Sequence, residues 1–167
     1  MSLAMEDLFR ARWTDQIHDE WIRNVLANRP DLKSEQLERT RQLMNAHVQD
    51  CLINGYEGLM PALELPDLDD RHVLAAAILG RCDVIVTFNL KDFPNPILKP
   101  YGIDAQYPDT FLLFQLDLAP GKFLKAVHKH RARLKNPPLS QEQYLETLLR
   151  QGLSQLVQAL KVYAEQL

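Results

Sequence analysis

The stretch over residues 65–93 leaves the fewest folding options open. Leu65-Pro66-Asp67-Leu68-Asp69-Asp70 reads as a loop that brings carboxylates to a helix start, and Val73, Leu74, Ala77 and Ile78 then recur on one face at helical spacing. A carboxylate at that point satisfies free N–H groups of the first turn and suits the positive end of the helix dipole, so Asp69 or Asp70 is expected to cap the helix. Val84-Ile85-Val86 follows. A short β-branched run after such a helix is usually a parallel strand buried on both faces. Helix then buried strand is an α/β pattern, and in open α/β sheets ligands bind just beyond the carboxyl ends of strands. Thr87, Asn89 and Asp92 lie there. Asp70 joins them if its helix packs beside the strand end.

The flanking chain reads mainly as helix. Thr14 is an expected N-cap, with Ile17, Trp21, Val25 and Leu26 as an apolar stripe and Glu20 one residue off it. Ser34 opens a second helix whose stripe runs through Leu37, Met44, Val48 and Leu52, to be ended by Asn54-Gly55 and Gly58. Residues 1–13 suggest partial helix, and 62–65 a brief strand. Pro94, Pro96 and Pro100 are expected to force an extended loop. Residues 104–107 read as a last strand, with Pro108-Asp109 opening the helix after it. From Pro120 the pattern is wholly helical. Asn136-Pro137-Pro138 breaks it, Ser140-Gln141-Glu142-Gln143 is a capping box, and Gly152 interrupts the final leucine-rich run.

With 167 residues, 46% of them hydrophobic, the chain is long enough for one domain with a helical appendage and a real core. A net charge of −3 neither favours nor excludes nucleic acid, so local charge decides. Cys51 and Cys82 lack metal-ligand spacing and read as reduced thiols, which places the protein in the cytoplasm. No apolar run approaches the ~20 residues of a membrane span.

Asp69-Asp70-Arg71-His72-Val73-Leu74-Ala75-Ala76-Ala77, followed by Ile85-Val86-Thr87-Phe88-Asn89-Leu90-Lys91-Asp92-Phe93, resembles the second half of the PIN domain, above all in the bacterial proteins grouped with VapC-type toxins. Trp13-Thr14-Asp15-Gln16-Ile17-His18-Asp19-Glu20-Trp21 is similar to that group's early helix, and the helical tail is similar to one that some members carry. The resemblance implies an α/β fold, a three-layer α/β/α PIN-like domain with a parallel sheet over residues 1–117, and an α-helical C-terminal extension over 118–167. It implies a metal-dependent ribonuclease with an acidic cluster: Glu20 on the early helix, Asp70 opening the central one, Asn89 and Asp92 after the strand, and Thr87 as the small hydroxyl residue that ends it. Family members begin with an apolar strand ending in an aspartate. No β-branched run precedes Trp13, and Asp7 is not promoted to that role, so the expectation is a PIN-like domain whose N-terminal strand is missing.

Hydrolysis of a phosphodiester needs an activated water and neutralisation of developing charge, which one or two Mg²⁺ or Mn²⁺ ions supply. Such hard cations prefer carboxylate oxygens. Glu20, Asp70 and Asp92 are the expected ligands, Asp70 directly and Glu20 through water or by orienting the nucleophile, with Asn89 adding a carbonyl oxygen or orienting a water. Plainer readings stand beside these. An Asp before a helix is commonly an N-cap, Glu20 suits a solvated helix face, Asn89 and Asp92 suit a turn, and His72 reads as a helix-surface residue. Asp67 and Asp69 add negative field. Residues 122–135 hold six Lys or Arg and no acid. Lys122, Lys125, Lys129, Arg131 and Arg133 form a face that phosphates attract, or a solvated amphipathic helix. Expected partners are an RNA substrate, a cognate antitoxin and a second copy of the chain. The rival expectation is a non-catalytic PIN-like scaffold or self-association module, in which an intertwined dimer fills the gap left by the strand.

Overall fold

A computed structural model describes residues 8–135 and 137–163. The helix expected over 1–13 lies partly outside these residues, and 8–13 are not helical. Contacts divide the chain into two compact units. One is Arg10–Ile85 with Asn89–Ala105; the other holds Val86–Phe88 and the chain from Gln106 on, with the described residues before Arg10.

In the first unit the Thr14 hydroxyl accepts the Ile17 N–H at 3.0 Å and caps α1 (Asp15–Asn28), as its sequence position implied. Helix α2 (Ser34–His47) packs against α1. It stops at His47, short of the Asn54-Gly55 end that the stripe suggested, and the chain turns at Asp50 with a positive φ of 52°. The two helices are tied by His18, which is fully buried. Trp21 Nε1–H donates to His18 Nδ1 at 2.8 Å, so Nδ1 must accept and Nε2 carries the proton. Nε2 lies 3.0 Å from Asn45 Oδ1, which also accepts from Trp13 Nε1–H at 2.7 Å. Trp13 makes a parallel bridge to the stretch after α2, its N–H on Cys51 O at 2.8 Å and its O accepting from Ile53 N–H at 2.9 Å.

The strand expected at 62–65 does not form. A 3₁₀ helix, Glu57–Ala62, occupies its start, with Pro61 unable to donate to a ladder, and Leu63 and Leu65 are buried in the core instead. Helix α3 (Arg71–Leu79) buries Leu74, Ala75, Ala76 and Ala77. Its small residues let neighbours come close, and the close approach continues at Gly80, where an added Cβ would sit 2.4 Å from Ile53 Cδ1. Strand β1 (Val84–Val86) buries Ile85, but Val86 is 45% exposed, so the strand is not buried on both faces. Val84 and Val86 share the face opposite Ile85, which is the less covered one, and among the described residues the sheet has two strands, β1 and β2 (Asp104–Gln106). Asp104 N–H donates to Asp83 O, and Thr87 N–H to Gln106 O. Both residue numbers rise together along the ladder, so the pair is parallel. The prolines do not force an extended loop. Pro96 and Pro100 sit in the first turns of α4 (Asn95–Leu98) and of the 3₁₀ turn Lys99–Tyr101, where a missing N–H costs nothing. Among the described residues no strand precedes β1, and Trp13 makes only an isolated parallel bridge to Leu52.

The second unit is helical, with α5 (Pro108–Leu118), α6 (Pro120–Arg133), α7 (Gln141–Arg150) and α8 (Ser154–Lys161). Its own core contains Leu116, Phe123, Leu124, Val127, Tyr144, Leu156 and Leu160. Ser140 and Gln143 form the expected capping box of α7. Gly152, at φ 83°, makes the left-handed turn between α7 and α8.

Candidate active site

Asp70 stands at the N-cap position of α3, yet its backbone is helical and its side chain caps nothing. Capping falls to neither Asp69 nor Asp70. Asp67 performs it one turn earlier, accepting the Asp69 N–H at 2.9 Å at the head of the 3₁₀ turn Leu68–Asp70. The extra turn moves the helix start past the aspartates and leaves the Asp70 carboxylate uncommitted to the backbone. Partial burial pushes that carboxyl above its ordinary range; the charges of Asp67, Asp92 and Glu20 push it further, and His72 opposes them.

Glu20 projects from α1, one residue off its apolar stripe. Its side chain is 31% exposed, and Oε1 lies 3.0 Å from His72 Nε2. His72 is not a surface residue: it is fully buried. The apolar stripe of α3 covers one face only, but the helix is buried nearly all round. The run Ala75-Ala76-Ala77 was the available signal, because a helix apolar on most sides belongs inside. Neither ring nitrogen of His72 completes a hydrogen bond among the described residues, despite the short approach to Glu20. Leaving a buried polar group unsatisfied costs on the order of 1–3 kcal/mol.

Asn89 and Asp92 do form a turn, as their plainer reading held. Asp92 closes the 3₁₀ turn Leu90–Asp92, and its N–H donates to Asn89 O at 3.2 Å. The Asn89 side-chain amide in turn donates to Asp92 Oδ2, which orients the carboxylate. The first unit thus brings Asp70 within electrostatic reach of Glu20 and Asp92, with Asn89 on Asp92. Thr87 and the basic residues belong to the second unit. There Lys122, Lys125, Lys129 and Arg133 are exposed along α6, while Arg131 is half-buried and donates to Leu139 O at 3.4 Å.

Three carboxylates and an amide are hard oxygen donors suited to Mg²⁺ or Mn²⁺. Their mutual repulsion at Asp70 is the electrostatic condition that a cation relieves. Among the described residues no three His, Cys, Asp or Glu side chains already form a metal-holding group. Mg²⁺ does not demand one, since it commonly binds through one or two carboxylates with waters and substrate phosphate completing the shell. The donor set fits the ion in chemistry and charge.

The PIN domain family model matches residues 1–91, more than half of the 167-residue chain. The chain belongs to the PIN domain family. The PIN match takes in α1, α2, α3 and β1, with Glu20, Asp70 and Asn89; Asp92 lies one residue beyond it. The VapC50 C-terminal domain matches residues 108–162, the span of α5 to α8. Similarity also extends to a Mycobacterium tuberculosis protein named "Putative ribonuclease VapC50", 58% identical over 64 residues, or 38% of this chain and 37% of that protein. The matched part therefore spans little more than a third of that relative's length. No solved structure matches. Mostly helical with a small parallel sheet and a helical C-terminal region, this PIN protein has the expected α/β character.

Proposed function

We propose that the chain is a divalent-metal-dependent endoribonuclease of the VapC toxin type, hydrolysing RNA phosphodiesters. The observation that supports this best is Asp70, a carboxylate that caps no helix and is kept in repulsive company with Asp67, Asp92 and Glu20. Membership of the PIN family and similarity to a relative named a ribonuclease support it further. A bound Mg²⁺ or Mn²⁺ would supply Lewis-acid neutralisation of the phosphate charge and activation of a water. Asp70 would be the direct ligand, and Asp92, oriented by Asn89, would be a further one. Glu20 would hold the ion through water or orient the attacking water, and it would take that water's proton as the oxygen bonds phosphorus and return it to the oxygen released when the ester P–O bond breaks. Thr87 supports the strand end through its N–H to Gln106. Lys122, Lys125, Lys129, Arg131 and Arg133 draw the polyanion through sequence-independent attraction. The proposed partners are RNA, a cognate antitoxin and a second copy of the chain, and the proposed compartment is the cytoplasm. No helix among the described residues is long and apolar enough to cross a membrane.

Titration of the full chain with Mn²⁺ by calorimetry, beside Asp70→Asn, is the deciding experiment. Wild type is expected to bind, and to gain about 2.7 kcal/mol of stability at a hundredfold excess of ion over its Kd. Asp70→Asn is expected to lose both the binding and the cleavage of structured RNA while keeping its fold. Binding and cleavage unchanged in Asp70→Asn would remove Asp70 from the site. The second reading is a non-catalytic PIN scaffold or self-association module, favoured by the lack of a ready three-ligand group among the described residues. It predicts no Mn²⁺ binding in either protein and a stable dimer by light scattering.

A further inference from the structure

We propose that His72 is a positioning residue: its imidazole holds the Glu20 carboxylate in the orientation that the acidic site uses. The inference rests on the reading of Glu20, Asp70 and Asp92 as the metal and water site. His72 comes from α3, two residues after Asp70, and Glu20 comes from α1, so their contact joins the two helices that deliver the acids. The ring is completely buried, and Nε2 lies 3.0 Å from Glu20 Oε1. An apolar side chain would fill that volume without leaving a nitrogen unsatisfied, as both ring nitrogens are here. Nε2 is the ring atom that faces the Glu20 carboxylate, and among the described residues no partner competes for the ring at Nδ1.

The consequence is geometric. A glutamate on a helix has several rotamers, and ordering one of them costs entropy. A donor that is itself locked by packing limits that freedom in advance. It engages Oε1 and leaves Oε2 for the cation or the water. Groups that orient metal-ligating side chains in this way typically change metal affinity 10–100-fold when removed.

The test is Mn²⁺ calorimetry on the full chain, with folding checked by circular dichroism. His72→Leu keeps the volume and removes the donor, and should weaken binding about tenfold. His72→Gln returns an N–H near the Nε2 position and should recover most of the loss, which a purely space-filling role would not allow. The double variant His72→Leu with Glu20→Gln should bind no more weakly than Glu20→Gln alone, because both changes break one interaction. If His72→Leu does not fold, His72→Phe keeps a ring in the cavity and serves the same comparison. Binding lost in Asp70→Asn but unaltered in His72→Leu overturns the positioning role and leaves the site standing. So does a His72→Gln variant as weak as His72→Leu. Absence of Mn²⁺ binding in the wild type overturns the site and His72's role with it.

Discussion

Asp70 sits where its charge is disfavoured, and that has a consequence for stability. Its carboxyl is raised above the ordinary 3.8 first by burial, then by Asp67 and Asp92, with Glu20 adding to them against His72. A carboxyl with a raised native value binds its proton more tightly in the folded chain than in the unfolded one. Its contribution is fully favourable below the unfolded value and is lost as pH rises through the folded one. At pH 7 the ionised group therefore works against the fold. Asp70→Asn is expected to raise the urea midpoint at pH 7, and the gain should vanish well below pH 3.8, where wild type carries a neutral carboxyl too. A carboxylate kept at a cost to stability is common at functional sites, and a divalent cation should reverse the cost in the wild type alone. Equal midpoints for the two proteins at pH 7 would mean that Asp70 is not under repulsion.

Among elements, α8 shows how a helix can depend on a residue far away in sequence. Leu153, at its N-cap position, offers no side-chain acceptor. Asp109, on α5 and only 2% exposed, takes over: Oδ2 accepts Gln155 N–H at 2.8 Å and Oδ1 accepts Leu156 N–H at 2.9 Å. The carboxylate satisfies two orphan donors and faces the positive end of the helix. Asp109→Ala should destabilise the chain by about 2–3 kcal/mol, from a lost cap and buried N–H groups left unpaired. Asp109→Asn, which keeps one acceptor, should lose less; urea unfolding followed by circular dichroism at 222 nm checks both. In sequence Asp109 reads only as a first-turn acid of its own helix, since the partner helix begins more than forty residues later.

At the scale of the molecule, each of the two units has a core of its own among the described residues. One gathers Ile53, Leu74, Ile85, Phe93, Leu98 and Ile103 around α3, and the other gathers Leu116, Phe123, Leu156 and Leu160 among α5 to α8. Ile103 and Leu160 share no cluster. Ile103→Val should cost about 0.5–1.5 kcal/mol and Leu160→Ala about 2–5 kcal/mol. Their effects should add within about 0.5 kcal/mol in the double variant, as expected of independent sites, and denaturant unfolding of the three proteins measures it. A larger discrepancy would mean that the cores are coupled.

Local chemistry along the chain already determined most of the elements. Thr14 and Ser140 set helix starts because their hydroxyls satisfy first-turn donors within three residues. Pro108 and Pro120 start helices because they lack a donor that the first turn does not use. The α3 and β1 motifs carried the resemblance to the PIN domain, whose family model matches residues 1–91, and the roles given to Asp70, Asn89 and Asp92 are proposals that follow from that resemblance. What tertiary structure decided depends on partners that periodicity does not see. The cap expected at Asp69 or Asp70 passed to Asp67, because the 3₁₀ turn before α3 supplies a competing local geometry. His72 went inside because α3 is enclosed on several faces, and it met Glu20 from a helix fifty residues earlier. Val86 stayed exposed because it lies on the face of its strand opposite the buried Ile85. Hydrogen bonds within a turn are written in adjacent residues, whereas burial and the meeting of distant charges exist only once the helices have packed.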